Sequence, residues 1–439
     1  MSTSSLIPPP AANGARPAGE ATRPAGGAAV PAGDPAGPAG DAGAPAAHRI
    51  ASDAEALARA GALVRPIAAG AAERDRDRVL PAAEIELLSR EGLLAITVPA
   101  RFGGAEVSAR TLAEVVRLLA SADPNVAQIP HSHFVYLELV RQLGTPAQQQ
   151  LLFGEVLAGR RLANAQSEAR SKTIVDIRAS LRPGRPGQLV LDGEKFYCTG
   201  SLLAHRLMVL AKDDAGRTWV AIVPADAPGV SVVDDWAGMG QRTTASGTVK
   251  LERVSVPEEL AIPHHRLFKR PQVYGARAQL LHAAIDVGIA CGALEEACEL
   301  VRATSRPWFE AGVERACEDP LLIQRVGELE IDLRAARALL GEAARTIDEV
   351  ERAGVDEPGS ARASIAVAAC KAFADRVGVQ TASALFELCG TRSAAEGLGL
   401  HRHWRNARTH TLHDPVRWKL QHVGRYTLNG TLPPQHGQL

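Results

Sequence analysis

Near the C-terminus, the stretch Trp404-Arg405-Asn406-Ala407-Arg408-Thr409-His410-Thr411-Leu412-His413-Asp414-Pro415 holds an indole, two guanidinium groups, two imidazoles and a carboxylate. A solvated helix surface has no need of that set, whereas a site that moves protons and holds an anion does. His410 and His413 are three residues apart and share one helical face. Pro415 stops the helix and fixes the turn after it, so His413 and Asp414 sit at a helix end where side chains can enter a cavity. Acid–base chemistry is one reading. Metal binding is a second, because His401, His403, His410, His413 and Asp414 lie close in sequence, but no Cys partner or HExxH pattern supports it and no metal is assigned. A third is structural: Arg and His side chains capping neighbouring carbonyls.

Four further stretches could hold a ligand. Trp236-Ala237-Gly238-Met239-Gly240-Gln241-Arg242-Thr243-Thr244-Ala245-Ser246-Gly247 sets small residues and hydroxyls after a tryptophan. Such a loop lets backbone approach a flat ligand and offers it donors, although an ordinary hairpin loop has the same composition. Thr199-Gly200-Ser201 at a strand end reads the same way. Ser305-Arg306-Pro307-Trp308 and Gly390-Thr391-Arg392 each carry an arginine able to fork onto a phosphate or onto a nearby carboxylate. No GxGxxG follows a strand, and neither GxxxxGK[ST] nor GxSxG occurs.

These residues need elements to position them. The 439 residues are 46% apolar, carry zero formal net charge and include only 4% aromatics. Nucleic acid has no basic surface to meet here, and the core must rest on Ala, Leu and Val. No apolar run approaches the roughly 18 residues of a spanning helix. Cys198, Cys291, Cys298, Cys317, Cys370 and Cys389 form no CxxC pair, which fits reduced thiols in a cytoplasmic protein.

Residues 1–48 are an Ala/Pro/Gly stretch, expected to be a disordered tail. Residues 49–161 read as a helical domain, with helices over Glu84–Glu91 and Thr111–Ala122 and from near Ile129. Residues 162–265 read as a small β-domain, a barrel or sandwich of short antiparallel runs. Hairpins are expected at Asp192-Gly193 and at Asp213-Asp214-Ala215-Gly216, with more strands over Val230–Val233 and Thr248–Val256. Residues 266–439 read as a helical bundle. Leu322, Val326, Leu329, Leu333, Ala336, Leu340, Ala343, Ile347 and Val350 make a heptad seam, Ala276–Ala303 and Ala361–Leu388 are two more long helices, and the last helix ends in the histidine motif. A cleft is expected between the β-domain and the bundle.

The order helices, β-domain, helical bundle resembles the acyl-CoA dehydrogenase superfamily, from about Ile50 to the C-terminus. Within it the chain is similar to the flavin-dependent monooxygenase branch, the dibenzothiophene monooxygenase-like and SfnB-type sulfur-acquisition oxidoreductases. The matching pieces are Ala72-Glu73-Arg74-Asp75-Arg76, Val98-Pro99-Ala100-Arg101-Phe102-Gly103-Gly104, Asp234-Asp235-Trp236, Gly240-Gln241-Arg242, Ser246-Gly247, Arg306-Pro307-Trp308 and Trp404 to Pro415.

The resemblance implies a mainly α fold: an N-terminal helical domain, a middle β-barrel and a C-terminal four-helix bundle. It implies that His133 and His413 face the reactive edge of a flavin and donate to an oxygen adduct there. Asn164, Thr199 and Ser246 hydrogen-bond the ring system, and Trp236 walls it. Arg306 and Arg392 hold the phosphate across a subunit boundary of a homotetramer, and His410 and Asp414 orient the site. His131 has no family counterpart. The implied cofactor is FMN, supplied reduced by a separate flavin reductase, with oxygen added as a C4a-hydroperoxide and passed to an organosulfur substrate. The chain departs from true dehydrogenases by placing Asp414-Pro415 where they carry a glutamate before Gly-Thr. An FAD-dependent acyl-CoA dehydrogenase with Asp414 as base is the first alternative, and a flavin-free binding or regulatory relative is the second.

Overall fold

The computed structural model describes residues 47–169, 173 and 175–439, so most of the expected tail, residues 1–46, lies outside the described residues. At the edge of that stretch, His48 is already tied down: its N–H donates to Arg90 O at 2.8 Å.

Side-chain caps start several N-terminal helices. Ser52 accepts from Glu55 N at the head of α1 (Asp53–Ala68), which is followed by α2 (Ala71–Asp77) and α3 (Ala82–Arg90). Ser108 caps α4 (Ala109–Ala122), which buries Leu112, Val115, Val116 and Leu119 at the expected helical spacing. Asp123 ends α4 and caps α5 (Pro124–Gln128), a short helix buried at every position. Then come α6 (His131–Leu143) and α7 (Pro146–Leu157), the latter with a capping box from Thr145 and Gln148.

Eight strands come next: β1 (Leu162–Ala165), β2 (Ser180–Pro183), β3 (Gln188–Cys198), β4 (Arg206–Lys212), β5 (Thr218–Pro224), β6 (Val230–Val233), β7 (Gly247–Pro257) and β8 (Ala261–Ile262). Their order in the sheet is β6-β7-β3-β2-β4-β5-β8, with β1 beside β4. The hairpin at residues 213–216 is present, pairing Val209 with Ala221. The hairpin at Asp192-Gly193 is not. β3 runs straight through those residues as one strand antiparallel to β7, and the register shifts between Leu191 and Gly193. The extra residue is absorbed as a bulge, because Asp192 Oδ1 accepts from Arg253 N and a side chain at position 193 would strike Ala179. β1 also departs from the antiparallel expectation: it runs parallel to β4, with Asn164 opposite Met208.

The C-terminal helices are α8 (Tyr274–Ala303), α9 (Pro320–Ala353), α10 (Glu357–Cys389), α11 (His401–His410) and α12 (Val416–Asn429). The heptad seam from Leu329 to Val350 is buried in α9. α12 was not expected: α11 already ends at His410, and Pro415 begins another helix rather than stopping one, since it stands as N-cap, where its missing N–H is no loss. All six cysteines are free. Among the described residues, no helix is long and apolar enough to cross a membrane.

Candidate active site

The segment Asn125–Ile129 is the meeting point. Asn125 Oδ1 accepts from Thr243 N at 3.4 Å, Gln128 Nε2 lies 3.3 Å from His413 Nε2, and Ile129 packs on Gly200. Gly200 has φ 78°, and an added Cβ would press on Ile129 at 3.3 Å, so glycine lets the end of β3 lie close against this segment. One short buried helix therefore joins the β-domain loop, the β3 terminus and the turn after α11.

On the β side, Thr199 Oγ1 and Ser246 Oγ are 2.8 Å apart and both buried, and Ser246 Oγ is 2.8 Å from Thr244 Oγ1. Half-buried Asn164 stands on β1. The loop before Ser246 is fixed to α11. Asn406 Oδ1 accepts from Gln241 N at 2.6 Å, Arg405 Nη1 donates to Met239 O at 2.7 Å, and Arg405 also pairs with Asp75. Gly240 sits so tightly on α11 that an added Cβ would be 2.0 Å from Arg405 O. Trp236 donates its indole N–H to Gln241 O at 2.7 Å and walls a hollow of about 470 Å³ shared with Arg78, Asp234, Gly238 and Arg242.

On the helical side four imidazoles cluster. His282 of α8 lies between His131 (ring centroids 4.0 Å) and His413 (4.9 Å), and its Nδ1 is 3.1 Å from His410 Nε2. His410 Nδ1 faces Asp286 Oδ1 at 2.5 Å, and Lys371 Nζ is 3.1 Å from Asp286 Oδ2 while also pairing with Asp375. His413 Nδ1 donates to His410 O at 2.7 Å. The ring nitrogens of His282, His410 and His413 all lie within 4.8 Å of one another, a metal-like grouping. The 3.1 Å contact between His282 and His410 has hydrogen-bond length, so a shared proton is enough to join those two rings.

Burial drives the electrostatics. Desolvation holds His282 and His410 well below the usual imidazole range and lowers His131 to about 4. His413 keeps exposed surface although protein crowds its ring. That crowding, with His410 beside it, lowers His413 to about 3. The cluster is therefore neutral at ordinary pH. Burial raises the Asp286 carboxyl, opposed by Lys371, and it pushes Asp375 up to about 8 with Asp286 adding to it. Burial pulls the Lys371 ammonium down, but Asp286 and Asp375 outweigh it and hold it above the usual lysine range. Asp414 is buried and ion-paired to Lys419 Nζ at 3.0 Å.

The structure brings together His410, His413 and Asp414 on one side and Thr199 and Ser246 on the other, while Asn164 stands on β1 opposite Met208. His133 is a correction. Its Nε2 donates to Leu94 O at 2.8 Å, its Nδ1 accepts from Leu162 N at 3.1 Å, and it is 1% exposed. Both nitrogens are used by backbone, so His133 ties α6 to β1, and the ring that enters the cluster is His131, two residues earlier. His413 also differs in sense: with Nδ1–H committed to His410 O, its Nε2 accepts rather than donates. Arg306 and Arg392 are exposed, and Arg392 donates to Thr304 O at 3.1 Å. Among the described residues neither arginine touches the imidazoles or hydroxyls of its own chain. His282, Asp286, Lys371 and Asp375 were missed by sequence reasoning.

The chain is similar in sequence and fold to known proteins. The acyl-CoA dehydrogenase N-terminal domain family matches residues 55–160, and the acyl-CoA dehydrogenase C-terminal domain family matches residues 280–418. Dibenzothiophene monooxygenase of Rhodococcus qingshengii is 34% identical over 88% of this chain and 96% of its own. The probable FMNH2-dependent monooxygenase SfnC of Pseudomonas putida is 33% identical over 86% of this chain and 96% of its own. FMN-bound TdsC from Paenibacillus sp. A11-2 superposes with a TM-score of 0.84 at 33% identity, covering 88% of this chain and 100% of that one.

Proposed function

The chain belongs to the acyl-CoA dehydrogenase family, in the group that holds dibenzothiophene monooxygenase, and we propose on that premise that it is a reduced-FMN-dependent monooxygenase acting on an organosulfur compound. The observation that carries the reading is the state of Asp414, the carboxylate a dehydrogenase would use as base. It is buried 3.0 Å from the Lys419 ammonium, so a cation of its own chain already occupies the carboxylate that would have to meet the substrate. Neutral imidazoles and hydroxyls line the meeting point instead. SfnC is described as FMNH2-dependent, and TdsC has been seen with FMN.

The residues present fit a flat, hydrogen-bonding ring. Among the described residues, Gln128 Oε1, Ser132 Oγ and Thr243 Oγ1 are buried without a partner, and such atoms call for one. Reduced FMN, when bound, supplies the two electrons that divide dioxygen between the product and water. Thr199, Ser246 and Asn164 bind the ring edge, and Trp236 limits its position. His413 Nε2 accepts a proton or hydrogen bond at the reacting side, and the surrounding buried apolar residues exclude water. Arg306 and Arg392 hold the phosphate of a neighbouring subunit's flavin in a homotetramer. Supporting that assembly, Phe309 beside the arginines is 78% exposed and Leu428 is 83% exposed, surface that a partner would cover. A separate reductase supplies the reduced flavin.

The test is turnover with chemically reduced FMN and labelled dioxygen against sulfides, sulfones and acyl thioesters. One labelled oxygen atom on a sulfur compound is expected. His413→Ala should lower product by about 100-fold while FMN binding is kept; an undiminished yield rejects the assignment. Anaerobic bleaching of bound flavin by an acyl thioester would assign a dehydrogenase instead, and failure to bind either flavin would assign a regulatory relative.

A further inference from the structure

We propose that His282 holds the transferred proton in this site, at Nε2, and that Asp286 acts on it through His410. The proposal rests on the monooxygenase reading for its chemistry, but its geometry stands alone. His282 and Asp286 are one turn apart on the same buried face of α8, and both meet His410 of α11.

The direction of every proton in the chain is set by its far end. A carboxylate only accepts, so His410 carries its proton on Nδ1, 2.5 Å from Asp286 Oδ1. His410 is fully buried and neutral, so its Nε2 is bare. His282 must then donate from Nδ1 across 3.1 Å, which leaves its own Nε2 bare. Among the described residues no protein group bonds that nitrogen. His131 stacks on one side of the ring at 4.0 Å and cannot compete for the relay, since its Nε2 donates to Ala278 O at 3.0 Å. Lys371, 3.1 Å from Asp286 Oδ2, keeps the carboxylate turned so that Oδ1 is left to His410. Asp286, His410 and Lys371 are thus positioning residues, and the arrangement extends the carboxylate–imidazole pair of a hydrolase triad by one ring.

The proton balance closes without an added reactant. Reduced FMN, when bound, would supply the ring proton that ends on the oxygen atom lost as water, and His282 Nε2 is placed to hold that proton in between. On arrival it forms the Nε2–H bond of His282. The Nδ1 proton of His282 passes to His410 Nε2, and the resulting imidazolium lies against the Asp286 carboxylate. The reverse shift returns a proton from His282 Nε2 to the departing hydroxide, and the chain regains its first state.

Full-length protein labelled with ¹⁵N-histidine tests this without flavin or substrate. Long-range ¹H–¹⁵N spectra should show His410 and His282 each protonated at Nδ1 alone, with the His410 proton shifted far downfield. In Asp286→Asn the amide oxygen should stay on Lys371 and the NH2 should face His410. Both rings should then reverse to the Nε2–H form. Turnover should fall by about 100-fold or more in Asp286→Asn and in His282→Gln, with FMN and substrate affinities within about threefold of wild type. An Nε2–H resonance on His282 in the wild type overturns the proposal. So does unchanged turnover in Asp286→Asn. If wild type oxygenates no sulfur compound, the monooxygenase reading fails, and the tautomers alone decide the relay.

Discussion

Lys371→Met is the sharpest probe of the buried network behind the histidines. Lys371 and Asp286 are both 0% exposed, with Nζ and Oδ2 3.1 Å apart. At an effective dielectric near 20, a unit pair at that distance attracts by about 5 kcal/mol. Removing the ammonium forfeits that attraction but also relieves the lysine's own desolvation, and Asp286 can take up a proton. The net loss expected for breaking such a pair is about 3–5 kcal/mol. The loss carries a pH signature. Without Lys371 the Asp286 pKa, already raised by burial, climbs further above its unfolded value near 3.8, so the folded state binds more protons than the unfolded one. The variant's deficit should therefore grow as pH rises from 5 to 8. Urea unfolding of Lys371→Met, compared with the triple variant Lys371→Met/Asp286→Asn/Asp375→Asn at both pH values, measures this. The triple variant buries no charge in the network and should recover at least half the loss. A single-variant loss under about 1 kcal/mol, or a triple variant no more stable than the single, would refute the reasoning.

The packing of α11 gives two more expected outcomes. Gly240→Ala would put a Cβ 2.0 Å from Arg405 O and 2.6 Å from Thr409 Oγ1, so the loop must lift off the helix. The expected loss is about 2–3 kcal/mol, together with weaker FMN binding; calorimetry and flavin titration that both match wild type would show the contact is not needed. Burial pushes Glu296 up, but His403 and Arg402 outweigh it and hold it at about 2. A depressed carboxyl contributes stability above its unfolded pKa that is lost as pH falls toward 2. Glu296→Gln should therefore flatten the stability decline between pH 4.5 and 2, by on the order of 1–2 kcal/mol after screening of its exposed edge; an unchanged acid limb would remove the pair from the account.

The helices were legible where apolar spacing alone decides them. α4 buries Leu112, Val115, Val116 and Leu119, and α9 buries the seam from Leu329 to Val350, as the periods require. The β-domain was legible except at β1, which runs parallel to β4, and where an Asp-Gly pair could turn or bulge. Local chemistry allows both, and only the partner strand β7 and Ala179 choose the bulge. Pro415 likewise reads as a stop, yet a proline also suits a helix start, and the residues from Val416 onward decide between the two.

The histidine motif announced itself because its polar groups are concentrated in one stretch. Its partners did not, because each stands alone in an Ala-rich buried helix. α8 carries Gln279, His282 and Asp286 at steps of three and four, one stripe on one face. Each member has its own partner on a different helix: Lys419 of α12 donates to Gln279 at 3.1 Å, His410 of α11 meets His282 at 3.1 Å, and Lys371 of α10 meets Asp286 at 3.1 Å. An isolated polar stripe cannot be buried without such complements. Its presence in an otherwise apolar helix is thus a statement about three other helices, and the pairing needs their relative placement to be read. His282 and Asp286 at i,i+4 and Lys371 and Asp375 at i,i+4 were two halves of one network, separated by most of the bundle in sequence and joined only when α8 and α10 pack. The same packing that hides the network from the sequence fixes its proton directions, because the Asp286 carboxylate can only accept from His410 and the far nitrogen of that ring faces His282.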